Sequence, residues 1–227
     1  MSQPPMQVDP LNSPHPVPWN WVQATLNAAD TNLHSLHFYR SPALLSPNGQ
    51  YSAYSRIQIR RHPDFFRSQV SSVLFLENLI GGDLQVIMPS SPLAENPFFN
   101  WDTEQEGRIS MIIPISWSET GDRLLAREFE SLFASDIASD YAVVVNSQTR
   151  EVRTISPSQI TYTNAVLLGW SQTYPDRVLF LAGELGDSNW QHWTVSLDGR
   201  TEVCTGDQPQ VWGQTISHVW MGPQSQS

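Results

Sequence analysis

Gly169-Trp170-Ser171 opens the frame of a nucleophile elbow, in which a strained turn presents a serine hydroxyl. Gln172 and Thr173 follow, so the closing glycine of that motif is absent, and the triplet reads as the edge of a strand and its turn. His34 and His37 stand three apart, a spacing that clamps a metal on a helix, but no cysteine or third histidine is near them. They read as residues leading into a strand. His62, His192 and His218 are isolated in sequence, and Cys204 ends a strand as a small buried hydrophobe does. Carboxylates gather at Asp102, Glu104 and Glu106, at Asp136 and Asp140, and at Glu184 and Asp187. Oxygen ligands of this kind suit calcium, yet no stretch has EF-hand spacing or a glycine-rich nonapeptide repeat. The acids therefore read as a solvated rim. From these residues we expect no catalytic residue, no cofactor and no metal site.

Twelve basic residues, all arginine, face twenty-two acidic ones for a net charge of −10. The lack of lysine removes Schiff-base chemistry and a phosphate-loop lysine. The acidic balance disfavours nucleic acid, whose binding rests on neutralising phosphates. The one basic cluster, Arg56, Arg60, Arg61, His62 and Arg67, reads as a solvated strand end. A single cysteine excludes an internal disulfide and fits a reducing compartment, so a cytoplasmic location is expected. No apolar run is long enough to span a membrane, and the opening residues lack the basic and apolar regions of a secretory signal.

The elements that must position any site are short. Seventeen prolines and twelve glycines argue against long helices, while 40% hydrophobic residues suffice for a packed core. Residues 1–18 hold six prolines and read as a flexible tail. Trp19, Trp21 and Val22 suit a short strand or a docking anchor, and residues 23–33 a weak helix. A pattern then recurs: an apolar run, a serine-led turn and a second apolar run, at residues 44–54, 115–126 and 168–181. Labelling the strands of each repeat A to D, the first has A ending at Leu45, B at Tyr51–Ile59, C at Val73–Glu77 and D at Leu84–Met88. Asn48-Gly49 between A and B is a strong hairpin signal, because both residues tolerate positive φ. The second repeat has strands at Ile109–Ile115, Arg123–Phe129, Tyr141–Val145 and Glu151–Ile155. The third has Ala165–Leu168, Arg177–Ala182, Trp190–Leu197 and Thr201–Cys204. A fourth copy begins at Ile216, and Trp220 falls in line with Trp117 and Trp170.

Four-stranded units carrying Ser46-Pro47-Asn48-Gly49-Gln50-Tyr51 resemble the blades of TolB/WD40-like β-propellers, in which a Ser-Pro-Asp-Gly turn joins the two inner strands. The second and third copies depart from that pattern, with Ser118-Glu119-Thr120-Gly121-Asp122 and Ser171-Gln172-Thr173-Tyr174-Pro175-Asp176. The resemblance implies an all-β chain, a small or incomplete propeller-like array of antiparallel blades. It divides the chain into a tail (1–18), one domain (19–222) with blades at about 34–88, 108–155, 164–205 and a partial 211–222, and a tail at 223–227. Three blades and a strand leave the ring short. Trp19–Val22 and Leu36–Arg40 could pair with the last strand as a fourth sheet; alternatively the array stays open, or a second copy or another protein completes it. Blade architecture by itself says little about function.

Extra length falls between strands B and C of every repeat, at 61–71, 131–139 and 183–189, and in the long D-to-A connection 89–107. In a blade array these loops share one face, which gathers Phe65, Phe66, Arg67, Phe98, Phe99, Trp101, Leu132, Phe133 and Trp190. Aromatics and arginine dominate interface hot spots. The sequence thus points to a non-enzymatic interaction or assembly factor that binds another protein through this face. The alternative is a ligand- or metal-binding propeller using the acidic loops.

Overall fold

Apolar alternation around turn residues folds as its period dictates. In the computed structural model, which describes residues 8–28, 35–91 and 106–224, a helix α1 (Trp19–Asn27) precedes β1 (Leu36–Arg40) and β2 (Ala43–Leu45). The first repeat continues as β3 (Tyr51–Arg60), β4 (Gln69–Asn78) and β5 (Leu84–Ile87). The second comprises β6 (Arg108–Trp117), β7 (Arg123–Leu132), β8 (Ala138–Asn146) and β9 (Val152–Ile155). The third comprises β10 (Asn164–Ser171), β11 (Arg177–Gly183), β12 (Gln191–Ser196) and β13 (Thr201–Val203). Short strands β14 (Pro209–Gln210), β15 (Gln214–Ile216) and β16 (Gly222–Gln224) end the described chain. Apart from α1 and one 3-10 turn, the regular structure of the described residues is all β.

Within each repeat, consecutive strands pair antiparallel, so the chain contains three four-stranded meanders. The serine-led turns close them by a shared device. Ser46 Oγ donates to Asn48 Oδ1 and accepts the Tyr51 amide; Ser118 Oγ donates to Asp122 Oδ1 and accepts the Arg123 amide. In the third turn the acceptor comes from afar: Ser171 Oγ donates to Asp207 Oδ2, and Asp207 Oδ1 also takes the Gln172 and Thr173 amides. The first two repeats join in one mixed sheet through parallel contact of β4 and β6 at Val70 and Ile109. The third forms a separate five-stranded sheet, and among the described residues neither sheet closes on itself.

Two apolar layers hold the stack. Leu44, Ala53, Leu74, Trp117, Leu124, Ala126 and Val143 pack between the first and second repeats. Met111, Leu125, Phe129, Val144, Leu167, Trp170, Val178 and Phe180 pack between the second and third. Strand β7 contributes to both, which is why its middle reads as a near-continuous buried run rather than an alternation. Burying one side chain of Phe129's size stabilises by about 1.5–3 kcal/mol.

Both ends of the chain differ from expectation. Trp19–Val22 is the first turn of α1 and not a strand. That helix lacks a side-chain cap and first-turn acids, so packing of Trp19, Trp21 and Val22 against the core must hold it. Residues 8–18, expected in a tail, are folded in, with Asp9, Ser13 and Val17 buried. Leu36–Arg40 does pair with the last strand, but inside the first repeat's sheet, where β1 lies between β16 and β3. No separate fourth sheet forms among the described residues. Trp220 is 69% exposed whereas Trp117 and Trp170 are buried, so the three are not equivalent. Instead the segment before it stitches the repeats together. Gln210 pairs with Trp170, the Trp117 amide donates to the Trp212 carbonyl at 2.9 Å, and Gln214 pairs with Leu45. The chain thus visits the first strand of the third, second and first repeats in turn. Gly213 makes this possible: its φ is +104°, and a Cβ there would lie 2.8 Å from the Leu45 carbonyl oxygen.

Candidate functional site

Between β3 and β4 the chain needs a tight reversal, and Asp64 to Ser68 supplies it as a 3-10 turn. The Arg67 amide donates to the Asp64 carbonyl and the Ser68 amide to that of Phe65. This turn throws Phe65 and Phe66 outward, 56% and 49% exposed. Two contacts fix it to the chain entering β6. Arg67 makes a two-pronged bond to the Glu106 carboxylate, with Nε to Oε2 at 2.6 Å, which holds that carboxyl below its usual range and raises the guanidinium. The Phe66 carbonyl oxygen lies so close to Gly107 that a Cβ would sit at 2.5 Å, and Gly107 has φ +82°. Only glycine fits there. The Gly107 carbonyl then accepts the Phe133 amide at 2.8 Å, tying the first loop to the second.

The second loop, between β7 and β8, closes on itself. Ser135 donates by amide and hydroxyl to the Leu132 carbonyl, and Ser131 Oγ to that of Ile137. Phe133 is thereby turned toward its neighbours. Phe65 meets it edge-on at 6.5 Å, Trp19 stacks with it at 6.4 Å, and Trp19 meets the fully buried Phe129 edge-on at 6.2 Å. Phe66 extends the series outward, 5.9 Å from Phe65. A ladder of five rings therefore runs from solvent to the core, each contact within the favourable range for aromatic pairs. Trp190, in the third loop, donates its indole N–H to the Glu184 carbonyl at 3.1 Å and packs against Gly183.

Beside the ladder opens a groove of about 450 Å³, lined by Leu132, Phe133, Asp136, Leu185 and Trp190 together with Pro10, Leu11, Asn12 and Trp19. The structure thus brings together Phe65, Phe66, Arg67, Phe133, Leu132 and Trp190 around one loop face. Phe98, Phe99 and Trp101 lie outside the described residues, as do Asp102 and Glu104. Trp19 and Pro10–Asn12 are additions: the sequence offers the first as part of a short strand or a docking anchor, and the others as tail.

What fixes the Pro10–Asn12 wall is a buried ion cluster. Asp9 Oδ1 accepts the Leu11 and Ser13 amides at 3.0 and 3.1 Å, and its Oδ2 accepts the Val17 amide and Arg127 Nη1. Arg127, on β7, is 0% exposed; its Nε donates to Asp140 Oδ1 at 2.8 Å and its Nη1 to the His15 carbonyl. Asp140 Oδ2 takes the Leu167 amide at 2.9 Å, which reaches into the third repeat. Asp140 is therefore not a rim carboxylate as the sequence suggested, but is fully buried. Two carboxylates share one cation, so the cluster cannot be neutral with both ionised. Burial, only partly offset by Arg127 and the Leu167 amide, pushes Asp140 up to about 6. Burial acts on Asp9 as well, but Arg127 and the Ser13 and Val17 amides outweigh it and hold that carboxyl below its usual value. Burial lowers His15, whose Nε2 lies 2.9 Å from the Leu168 carbonyl oxygen.

The remaining chemistry-bearing residues are dispersed. His37 Nε2 bonds locally to Ser35 Oγ at 2.8 Å, and Ser171 is engaged by Asp207. Burial raises the Cys204 thiol, with Asp207 adding to the effect, which is opposite to nucleophile activation. Among the described residues no three His, Cys, Asp or Glu side chains gather as a metal site. The described helix is too short to cross a membrane.

No protein-family model matches the sequence, and no curated protein does. Among solved structures, the chain is similar to one from Clostridium novyi NT called a conserved lipoprotein. They share 10% identity over 76% of this chain and 97% of that one, with a TM-score of 0.38. A likeness this distant carries no argument about activity.

Proposed function

We propose that this chain is a non-enzymatic interaction or assembly factor that docks a partner protein on the loop face around Phe65, Phe66, Phe133 and Trp190. The observation that carries this reading is the ring ladder: two exposed phenylalanines held on a rigid base that continues to buried Phe129. Exposed aromatics normally cost solubility and are retained where a partner covers them. Here they are also preorganised, because Gly107 and the Arg67–Glu106 bond fix the turn that bears them, so little ordering entropy remains to be lost on binding. The adjoining groove supplies a concave apolar floor.

The architecture we infer alongside is an open, TolB/WD40-like array. Three consecutive four-stranded meanders, each with a serine-led turn between its first two strands, support it. In such an array, equivalent loops emerge together, which accounts for the gathering of three B–C loops at one face.

Affinity capture from native extract tests the reading, comparing wild type with Phe65→Ser/Phe66→Ser. Both side chains are exposed, so the melting temperature should stay put. Partner affinity should fall by about 2 kcal/mol or more, about thirtyfold in Kd. Equal recovery of the same partner by both proteins would remove the face from consideration.

A further inference from the structure

A second surface lies on the first repeat, on the sheet formed by β1, β3 and β4. Registered cross-strand pairs arrange its outward side chains in three rows. Phe38 stands beside Gln58, Arg40 beside Arg56, and Tyr54 beside Phe75. The rows interlock: the Arg40 guanidinium lies 3.8 Å from the Tyr54 ring centre, Arg56 lies 5.1 Å from that of Phe38, and Tyr54 stacks on Phe75 at 5.2 Å. Phe38, Arg56, Gln58 and Phe75 border a pocket of about 200 Å³ in the middle of the face.

One feature of this face is unfinished. Arg40 and Arg56 form no ion pair among the described residues, although the chain carries ten more acids than bases. Two cations between aromatic walls call for a carboxylate with apolar neighbours. Rows on a sheet recur every second residue, about 6.6–6.8 Å apart. An extended peptide repeats its side chains at the same interval, so a segment with an acid flanked two residues away by apolar side chains matches the rows.

We propose that this sheet face binds an extended acidic segment of a partner polypeptide, its carboxylate seated between Arg40 and Arg56 and its apolar side chains on Phe38 and on the Tyr54–Phe75 pair. This site is separate from the loop face and does not rest on it.

The probe is a fluorescein-labelled, end-capped pentapeptide, Phe-Thr-Glu-Thr-Leu, read by fluorescence polarisation against the full chain. Wild type should bind it, and the peptide with Gln in place of Glu should bind at least tenfold more weakly. Arg56→Gln should lose about tenfold and Arg40→Gln/Arg56→Gln more. Phe65→Ser/Phe66→Ser should bind as wild type does, which separates this site from the loop face. The proposal is overturned if wild type shows no binding, if the Gln peptide binds as tightly, or if the arginine variants bind unchanged. Competition by free glutarate as effective as by unlabelled peptide would mark a small-carboxylate site and overturn it too.

Discussion

Arg127 is the residue on which the molecule turns. It is one cation between two buried carboxylates, and each carboxylate belongs to a different part of the chain. Removing it with Arg127→Met leaves two acids buried without a counter-ion, which should cost about 3–5 kcal/mol in chemical denaturation; a loss under about 1 kcal/mol would show that the cluster is dispensable. Asp140 gives the cluster a pH signature. Its folded pKa of about 6 lies above that of an unfolded aspartate, so the folded chain binds the proton more tightly. Its contribution is therefore present in acid and is lost as pH rises from about 4 through 6, on the order of 3 kcal/mol. Asp9 runs the opposite way, and its contribution is lost only as pH falls below about 4. Asp140→Asn should flatten the decline between pH 4 and 7, and an unchanged slope would contradict the assignment. None of this was legible in the sequence. Asp140 lies just before Tyr141, where strand C was expected to begin, so it read as a loop acid, although β8 starts earlier at Ala138. Asp9, far from Arg127 along the chain, stood among prolines that read as tail.

At the scale of elements, what was local was readable. Period-two alternation and turn residues place the strands of all three repeats, and Asn48-Gly49 and the serine-led turns mark the hairpins. Phe65, Phe66, Phe133 and Trp190 fell on one face because they sit at equivalent points of equivalent meanders. Non-local pairing was not readable. Strands as short as β14 and β15 have no periodicity of their own; they form because the first strands of the repeats leave free edges. Nor does sequence reveal that Gly107 is a clamp rather than a spacer. Gly107→Ala forces a Cβ against the Phe66 carbonyl at positive φ. It should destabilise by about 1–3 kcal/mol and weaken partner capture even though no partner-facing side chain has changed. A variant with wild-type stability and capture would mean the turn tolerates the shift.

For the whole molecule, the C-terminal segment acts as a belt across three repeats that otherwise meet mainly face to face. A chain ending at residue 208 loses its pairing to β10, β6 and β2 together. We expect its melting temperature to drop by about 10 °C or more, the shift that a loss of about 3–4 kcal/mol gives a chain of this size; an unchanged melting curve would show that the meanders stack unaided. The N-terminal segment plays a matching role, since Asp9 anchors it to Arg127 of the second repeat, His15 bonds the Leu168 carbonyl of the third, and Pro10–Asn12 line the groove. Architecture and site are then one arrangement: the stitching that holds the repeats also sets the loops that bear the rings. The most direct test of that account replaces Phe66 with the photo-crosslinker p-benzoylphenylalanine and, in a control, Val152 on the exposed outer strand β9. Irradiation in native extract should yield one discrete protein adduct from position 66 and none from position 152. The same adduct from both positions, or none from position 66, would contradict the loop face as the docking surface.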